Sequence, residues 1–359
     1  LASIPRNSKQ AVYFVAFISV VVSILHWALS LILGALLARE VAKSLKKRNV
    51  IFEYGLIGAA AYLGQMTWHG GFSASIGLLI ATPGHFLEKQ IGVIPIADYM
   101  VNPMNIAVTI GVIILPPIFA WLIHPKDDEI KSLEPDVANF LDRSDDGAHK
   151  ERSSVTVGDK LNNSMIIALM LAALGFTYIV YHFRTKGFDL DLNIVNAIFF
   201  FTGILLHGTM ANYVDAVKEA ASGVGGIIFQ FPLYAGIMGM VRYSGLVDVF
   251  SAAIVSISTE GTFYFWTFIS ASIVNLFVPS GGGQWAVQGP VAMKSAEMMG
   301  ASYIKSALAV GYGNTWTNML QPFWAIALLG ITGLKARDVI GYAAAVMILS
   351  FVVFAIPLL

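Results

Sequence analysis

The sequence contains no cysteine, which excludes disulfides, thiol catalysis and thiolate metal sites. Charge is also scarce, because only 12% of the 359 residues are Asp, Glu, Lys or Arg, against about a quarter in a soluble domain. The formal net charge is zero, so no nucleic-acid partner is implied. No charged region with a small-residue cleavage site opens the chain, so no signal peptide is predicted.

Hydrophobic residues are abundant and make up 57% of the chain. This composition predicts an all-α polytopic membrane protein that has the lipid bilayer as a partner. The one long hydrophilic stretch, 124–160, is rich in Asp, Glu, Lys and Ser and is interpreted as a flexible cytoplasmic linker. It would separate a first repeat, 1–123, from a second, 161–359. A small folded insert is the less favoured alternative, because the stretch has few apolar residues for a core.

The most informative segment is 275–290, with the sequence NLFVPSGGGQWAVQGP inside an apolar region. A proline and three consecutive glycines cannot continue a helix. The backbone groups they free cost several kcal/mol each in hydrocarbon, unless they are buried in protein or line a wet cavity. Such a broken helix is the best sequence indication of a solute site in a membrane carrier. The alternative is a glycine turn in a surface loop.

Similar polar interruptions occur at 26–30, 65–75 and 313–318. Basic residues flank both ends of the first apolar run, which favours a re-entrant hairpin at 10–42 over a single span. This hairpin would pair with a broken helix at 49–81, and a second hairpin at 262–300 with a broken helix at 303–329. The spacings agree, since 68 − 26 = 42 and 316 − 275 = 41.

Five predicted spans separate the two hairpins, so the second must enter from the opposite face of the membrane. The expected fold is therefore two inverted-topology repeats, each with a re-entrant helical hairpin and a broken transmembrane helix. Many secondary transporters have this architecture and hold their solute near the midplane between the repeats.

No Asp, Glu, Lys or Arg falls at a break, so the site is not built around a formal charge. A small anion could be held by N–H groups at half-helix N-termini and glycine nests, helped by hydroxyl, amide and indole donors. Each helix end supplies about half a positive charge, which predicts weak recognition of a monocarboxylate. The candidate substrate-binding residues are Ser280, Gly281, Gly282, Gly283, Gln284, Trp285, His26, Trp27, Ser30, Trp68, His69, Ser73, Asn314, Thr315 and Trp316.

Four tryptophans lie at the breaks: Trp27, Trp68, Trp285 and Trp316. Singly, each is better interpreted as a packing residue or an interfacial anchor. As a set, they could form the wall of a small apolar pocket for a short acyl chain.

Two hypotheses concern ion coupling. Asn275, Thr317 and Asn318 are candidate ion-coupling residues, with Na⁺ placed at Asn275 and Asn318; alternatively, these side chains satisfy the broken backbone. His26 and His69 could carry a coupling proton. Neutral histidines hydrogen-bonded within the bundle are the favoured alternative. No cofactor other than a coupling Na⁺ or H⁺ is expected.

The sequence argues against an enzyme. An intramembrane serine hydrolase could use Ser280, but it would need a base. All seven histidines precede Ser280, the last being His207, and no lysine lies nearby. A passive anion channel is a second alternative.

Several motifs resemble those of the short-chain fatty acid transporter family, bacterial carriers of the acetoacetate and butyrate uptake type within the ion transporter superfamily. They are 278–285 (VPSGGGQW), 287–290 (VQGP), 36–42 (LLAREVA), 67–73 (TWHGGFS), 81–84 (ATPG) and 318–324 (NMLQPFW). The resemblance covers essentially the whole chain. It implies a short monocarboxylate substrate, a multi-pass position in the bacterial inner membrane and two hairpin-bearing repeats. It also implies cation-coupled uptake by a homodimeric elevator carrier. Members typically have further spans before the point that corresponds to Leu1, so the resemblance implies that those N-terminal spans are lacking here.

Overall fold

The computed structural model describes residues 1–126, 128–130, 133–142, 156–222 and 225–359. These residues form helices and contain no strand, which confirms the all-α prediction for this part of the chain. The helices up to the hydrophilic stretch and within its start are α1 (Ser8–Leu25), α2 (Trp27–Lys47), α3 (Tyr54–Tyr62), α4 (Ser75–Ala81), α5 (Glu88–Ile91), α6 (Ile96–Met100), α7 (Pro103–Leu122) and α8 (Pro135–Asp142). Those that follow are α9 (Val157–Asn162), α10 (Met165–Lys186), α11 (Leu192–His207), α12 (Met210–Ser222), α13 (Gly225–Tyr243), α14 (Leu246–Ile257), α15 (Phe263–Asn275), α16 (Gly281–Met299), α17 (Tyr303–Thr317), α18 (Pro322–Thr332) and α19 (Ala336–Ala355). Three 3-10 helices span Leu63–Gly70, Asn318–Leu320 and Ile356–Leu358.

Within the described ranges, four helical segments are long and apolar enough to cross a membrane. They are α1, α7, α10 and the last helix counted from Ala336 to Leu358, with mean hydropathies of 1.8 to 2.6. Large apolar side chains on the outside of α10 and α11 remain exposed, among them Leu174 and Leu206. Such a surface is suited to lipid rather than water, as expected of a polytopic membrane protein.

Helices α1 and α2 form an antiparallel helical pair, hairpin 1, in which the chain reverses at His26. His26 has an extended backbone, and its Nδ1 accepts a hydrogen bond from the N–H of Ala28 at the start of α2. The Ser30 hydroxyl donates to the Ser19 carbonyl at 2.6 Å. A Cβ on Gly34 would lie 2.7 Å from the Ser19 Oγ, so small residues allow the two helices to approach closely.

Residues 63–74, between α3 and α4, form break 1. The 3-10 helix at Leu63–Gly70 is followed by bends before α4 begins at Ser75. The Phe72 N–H donates to the Ile24 carbonyl at 2.8 Å, which is an acceptor at the end of α1. A Cβ on Gly71 would lie 2.5 Å from that carbonyl oxygen. The tip of hairpin 1 and break 1 therefore satisfy each other's polar groups, since the Ser73 Oγ in turn accepts the Trp27 N–H.

Helices α15 and α16 form hairpin 2, and residues 276–280 are its tip. The two helices are bridged by Gln284, whose Nε2 donates to the Ala271 carbonyl at 2.8 Å, and by Gln288, whose Nε2 donates to the Ser270 Oγ at 3.2 Å. The glycine run does not interrupt a helix, because Gly281–Gly283 form the first turn of α16. The Ser280 hydroxyl accepts the Gly283 N–H and caps this helix.

The predicted position of the second break is wrong. Residues 313–318 were expected to interrupt the helix, but α17 continues to Thr317, and break 2 comprises residues 318–321. Its cause is Pro322, the first residue of α18, which disfavours a helical backbone at Gln321 and leaves it extended. Gly313 serves packing instead, because its missing Cβ allows α15 to approach α17.

Gly313→Ala is expected to destabilise the protein. The added Cβ would lie 2.5 Å from the Ala271 Cβ and 2.6 Å from the Phe268 carbonyl oxygen, so the helices would have to separate. Overpacking of this kind costs about 1–3 kcal/mol. Thermal unfolding in detergent measures the effect. Gly341→Ala in α19 is the matched control, because a Cβ added there would have no other atom within 4 Å, and an unchanged or higher melting temperature is expected. Equal melting temperatures for the two variants would contradict this packing role.

Part of the hydrophilic stretch is folded, since α8 packs on the helical body through its buried Val137 and Leu141. The Lys46 Nζ donates to the Ala138 carbonyl at 3.1 Å. Lys335 and Arg337 each approach the Glu134 carboxylate to 2.6 Å. The hydrogen bond from Lys335 lowers the pKa of Glu134, so these ion pairs are present at neutral pH and are lost only as the pH falls through that lowered pKa. The predicted linker also includes 127, 131–132 and 143–155, which lie outside the described residues.

Candidate functional site

A cavity of about 300 Å³ lies where the tip of hairpin 2 meets break 1, the start of α2 and the start of α18. It is lined by Trp27, Trp68, Ser75, Leu79, Leu192, Pro279, Ser280, Gly281, Gly282, Phe323 and Trp324. None of these residues carries a charge, in agreement with the expected uncharged site. Larger cavities, of about 520 Å³ beside α8 and about 600 Å³ between α14 and hairpin 2, involve no residue of a helix break.

Three indoles form the apolar wall of this cavity. Trp27 and Trp68 stack with ring centroids 4.7 Å apart, and Trp324 meets both rings edge-on at 5.1 and 5.2 Å. Two of the indole N–H groups are already used, since Trp68 Nε1 donates to the Ser73 carbonyl and Trp324 Nε1 to the Pro279 carbonyl. The wall therefore presents mainly ring surface to the cavity, which suits a hydrocarbon chain.

The opposite, polar side is the N-terminus of α16. The Ser280 Oγ accepts the Gly283 N–H at 3.2 Å, and the Ser280 carbonyl accepts the Gln284 N–H at 2.6 Å. The N–H groups of Gly281 and Gly282 have no intrahelical acceptor at this position. Both glycines line the cavity, at the positive end of a 19-residue helix. This arrangement can hold one carboxylate.

His69 lies directly behind Gly281 and is fully buried. A Cβ on Gly281 would lie 2.6 Å from the His69 Nε2, so only a glycine permits this approach. Neither imidazole nitrogen has a hydrogen-bond partner within the described chain. Asn314 lies close enough to the ring to interact with it, but its Nδ2 donates to Asn275 and Gln284, its Oδ1 accepts from Asn318, and neither atom meets hydrogen-bond geometry with the imidazole. The favoured expectation of hydrogen-bonded histidines therefore describes His26 but not His69.

Three buried asparagines form a closed ring of hydrogen bonds next to this site. Asn275 Nδ2 donates to Asn318 Oδ1 at 3.0 Å, Asn318 Nδ2 to Asn314 Oδ1 at 3.1 Å, and Asn314 Nδ2 to Asn275 Oδ1 at 2.8 Å. Asn314 Nδ2 also donates to Gln284 Oε1, and Asn275 Nδ2 to Thr317 Oγ1. The ring joins hairpin 2 to α17 and break 2.

The remaining candidate residues support the site without lining it. The Ser73 Oγ accepts the Trp27 N–H and so positions that indole, whereas Ser30 joins the arms of hairpin 1. Trp285 is fully buried, and a Cβ on Gly289 would lie 3.0 Å from its ring. The others point elsewhere or are used locally: His26 contacts Phe199, Gly283 forms the first turn of α16, Thr315 donates to the Gly311 carbonyl, and Trp316 donates to the Met347 carbonyl.

Trp324 is the main lining residue that sequence reasoning missed as a candidate, although it occurs in the NMLQPFW motif. Its position two residues after Pro322, which ends break 2, was the available signal. Phe323 shares this signal, whereas Leu79 and Leu192 carry none, because similar apolar residues occur throughout the long helices. Only the packing of distant segments brings them to the cavity.

Comparisons with known proteins identify the family of this chain. A model of the short chain fatty acid transporter family matches residues 1–359. A relative from Escherichia coli (strain K12), named "Putative short-chain fatty acid transporter", is 37% identical over 357 residues, which cover 99% of this chain and 80% of the relative. A relative with the same name from Haemophilus influenzae is also 37% identical, over 100% of this chain and 80% of its own length. The comparison with solved structures found no match.

The family match spans the segments that carry the glycine run, the three cavity tryptophans and both breaks. A carrier family also explains an apolar helical body with an uncharged internal cavity. The chain belongs to the short chain fatty acid transporter family, so it is a transport protein and not an enzyme.

Proposed function

We propose that this protein is a secondary active transporter that takes up short-chain fatty acids, such as acetoacetate and butyrate, across the bacterial inner membrane. The observation that carries the proposal is the cavity of about 300 Å³, which combines an indole wall with free N–H donors at a helix N-terminus. The indoles suit a short acyl chain, and the donors suit its carboxylate. The names of the two relatives support the same substrate class.

Accumulation of an anion inside a cell needs an energy source, and cotransport of a cation is the source proposed here. A negative interior opposes entry of one negative charge by about 2.3 kcal/mol per 100 mV. In the proposed carrier, at least one co-transported H⁺ or Na⁺ for each monocarboxylate offsets this cost. Na⁺ at Asn275 and Asn318 is the less favoured choice, because the side-chain oxygens of both residues already accept hydrogen bonds within the asparagine ring.

The proposed mechanism is of the elevator type, in a homodimer. Hairpin 1 with break 1, and hairpin 2 with break 2, are interpreted as inverted repeats whose re-entrant hairpins enter from opposite faces. The hydrogen bonds within each hairpin and the asparagine ring support movement of these elements as one unit. The less tightly packed α10–α14, with their many exposed apolar side chains, are the candidate scaffold.

The test is uptake of radiolabelled acetoacetate into proteoliposomes, with unlabelled acids of increasing length as competitors. Saturable uptake with counterflow exchange is expected. Each added methylene that fits against the indoles should contribute about 0.8 kcal/mol, or roughly fourfold in inhibition constant, until the cavity is filled. Longer acids should then inhibit less. Protein-free liposomes control for passive diffusion of the undissociated acids.

Counterflow separates the proposal from a passive anion channel. An alternating-access carrier accelerates labelled uptake when unlabelled acid is trapped inside, because the loaded site returns faster than the empty one. A channel shows no such acceleration. Non-saturable uptake without counterflow would favour the channel and contradict the proposal.

A further inference from the structure

The imidazole of His69 is buried beside the start of α16 with no hydrogen-bond partner in the described chain. We propose that His69 carries the coupling proton, so that one H⁺ and one carboxylate move together as an electroneutral pair. This inference rests on the proposed function and extends it by naming the coupling ion, the residue and the charge stoichiometry. An N–H bond forms on the imidazole when the outward-facing site loads, and it breaks when that proton is released inside.

The position of His69 couples it to the carboxylate. Its Nε2 faces Gly281, whose N–H is one of the two free donors of the cavity. An imidazolium at a helix N-terminus is disfavoured by the positive end of the helix dipole. A carboxylate bound at the helix N-terminus makes protonation of His69 favourable, because the negative charge is attracted both to the imidazolium and to the helix N-terminus. Binding of the proton and of the acid are therefore reciprocally favourable, as linkage requires.

A second contact supports the protonated form. The His69 ring stacks on Trp68, with centroids 5.1 Å apart and planes 17° from parallel. A cation on the face of a tryptophan is stabilised by the ring quadrupole. Trp68 also lines the cavity, so the same indole contacts the proposed proton carrier and the proposed acyl chain.

No charged side chain of the described residues forms a hydrogen bond with the His69 ring. Tyr99 donates to the His69 carbonyl oxygen, and Tyr312, on α17, donates to Asn105. Tyr62, on α3, donates to carbonyls of break 2. The charged residues of the helices around this site are Lys9 on α1, those of segment 39–47 on α2, Asp98 on α6, Lys294 and Glu297 on α16 and Lys305 on α17. None of them donates a hydrogen bond to the His69 ring or accepts one from it. Protonation of His69 would therefore place a positive charge next to a bound carboxylate and neutralise it.

The experiment measures acetoacetate movement in proteoliposomes containing the intact protein, with a trapped pH dye and a membrane potential set by valinomycin and K⁺. For the wild type, one internal proton is expected per acetoacetate, with an initial rate that does not depend on potential. His69→Gln should retain counterflow but lose accumulation driven by a proton gradient by about tenfold or more. Its net uptake should also become slower under a negative internal potential, since the anion then moves alone.

His207→Gln is the control, because it removes an exposed histidine at the end of α11, away from the cavity and both breaks. It should behave as the wild type. Potential-dependent or Na⁺-driven uptake by the wild type would overturn the inference, as would proton-driven accumulation by His69→Gln at the wild-type level. If His69→Gln does not fold, His69→Asn takes its place with the same expected losses, and the wild-type proton count and potential dependence then test the coupling ion alone. Absence of counterflow in the wild type would instead contradict the proposed function itself.

Discussion

Replacing Gly281 by alanine is expected to reduce transport of short-chain acids by about fivefold or more. The new Cβ would lie 2.6 Å from the His69 Nε2, 2.9 Å from the His69 Cε1 and 3.3 Å from the Ser75 Cβ. His69 is fully buried and has no room to retreat without displacing break 1 or α17. Overpacking costs about 1–3 kcal/mol, which corresponds to roughly five- to 150-fold in binding or rate. Initial rates of radiolabelled acetoacetate uptake measure the loss.

Gly282→Ala provides the comparison within the same helical turn. Gly282 also lines the cavity, but its Cβ would meet only the Leu79 Cδ1, at the ordinary contact distance of 3.8 Å. A much smaller loss is therefore expected than for Gly281→Ala. If the two variants lost activity equally, the glycines would matter for backbone flexibility rather than for the approach of His69.

Asn314→Ala should strongly destabilise the contact between hairpin 2 and α17. Asn314 donates to Asn275 and Gln284 and accepts from Asn318, so its removal leaves three buried polar groups each short of one hydrogen bond. An unsatisfied buried group costs about 1–3 kcal/mol, and the total of roughly 3–9 kcal/mol is comparable with the stability of a whole domain. Thermal unfolding in detergent should show a large decrease in melting temperature or no folded protein.

The control for this variant is Asn196→Ala in α11, where the asparagine is exposed. Such a surface change is expected to alter stability by no more than about 0.5 kcal/mol. A small effect of Asn314→Ala, similar to that of the control, would show that the three amides do not act as a closed ring. Asn318→Ala should resemble Asn314→Ala, because it interrupts the same ring at another position.

The break at Pro279 and the interruption near Trp68 were predictable from the sequence, because proline and clustered polar residues have direct local consequences for a helix in an apolar region. The site's lack of formal charge was also predictable, since no acidic or basic residue occurs at a break. The second break was predicted too early in the chain because Gly313 was interpreted as a residue that interrupts the helix. Its structural role is to admit the Ala271 side chain of a neighbouring helix, a contact that no local pattern reveals.

Some of the candidate site residues line the cavity as predicted, and others do not. Trp27 and Trp68 were identified as wall residues by their position at breaks, but Trp285 and Trp316 share that signal and point into helix contacts. Rotation about the helix axis decides which indole faces the cavity, and that rotation depends on all the packed neighbours. The same reason explains why Asn275 and Asn318 could not be assigned to an ion or to one another from the sequence alone.

The sequence by itself determined that this is a helical membrane protein with its polar groups concentrated at interrupted helices, because composition and helix-breaking residues act locally. The tertiary structure alone decided that the interruptions separated by about 200 residues meet, that three asparagines satisfy one another, and that one histidine remains unpaired behind a glycine. Those are relations between distant segments, fixed by which surfaces pack together rather than by any residue's own preference.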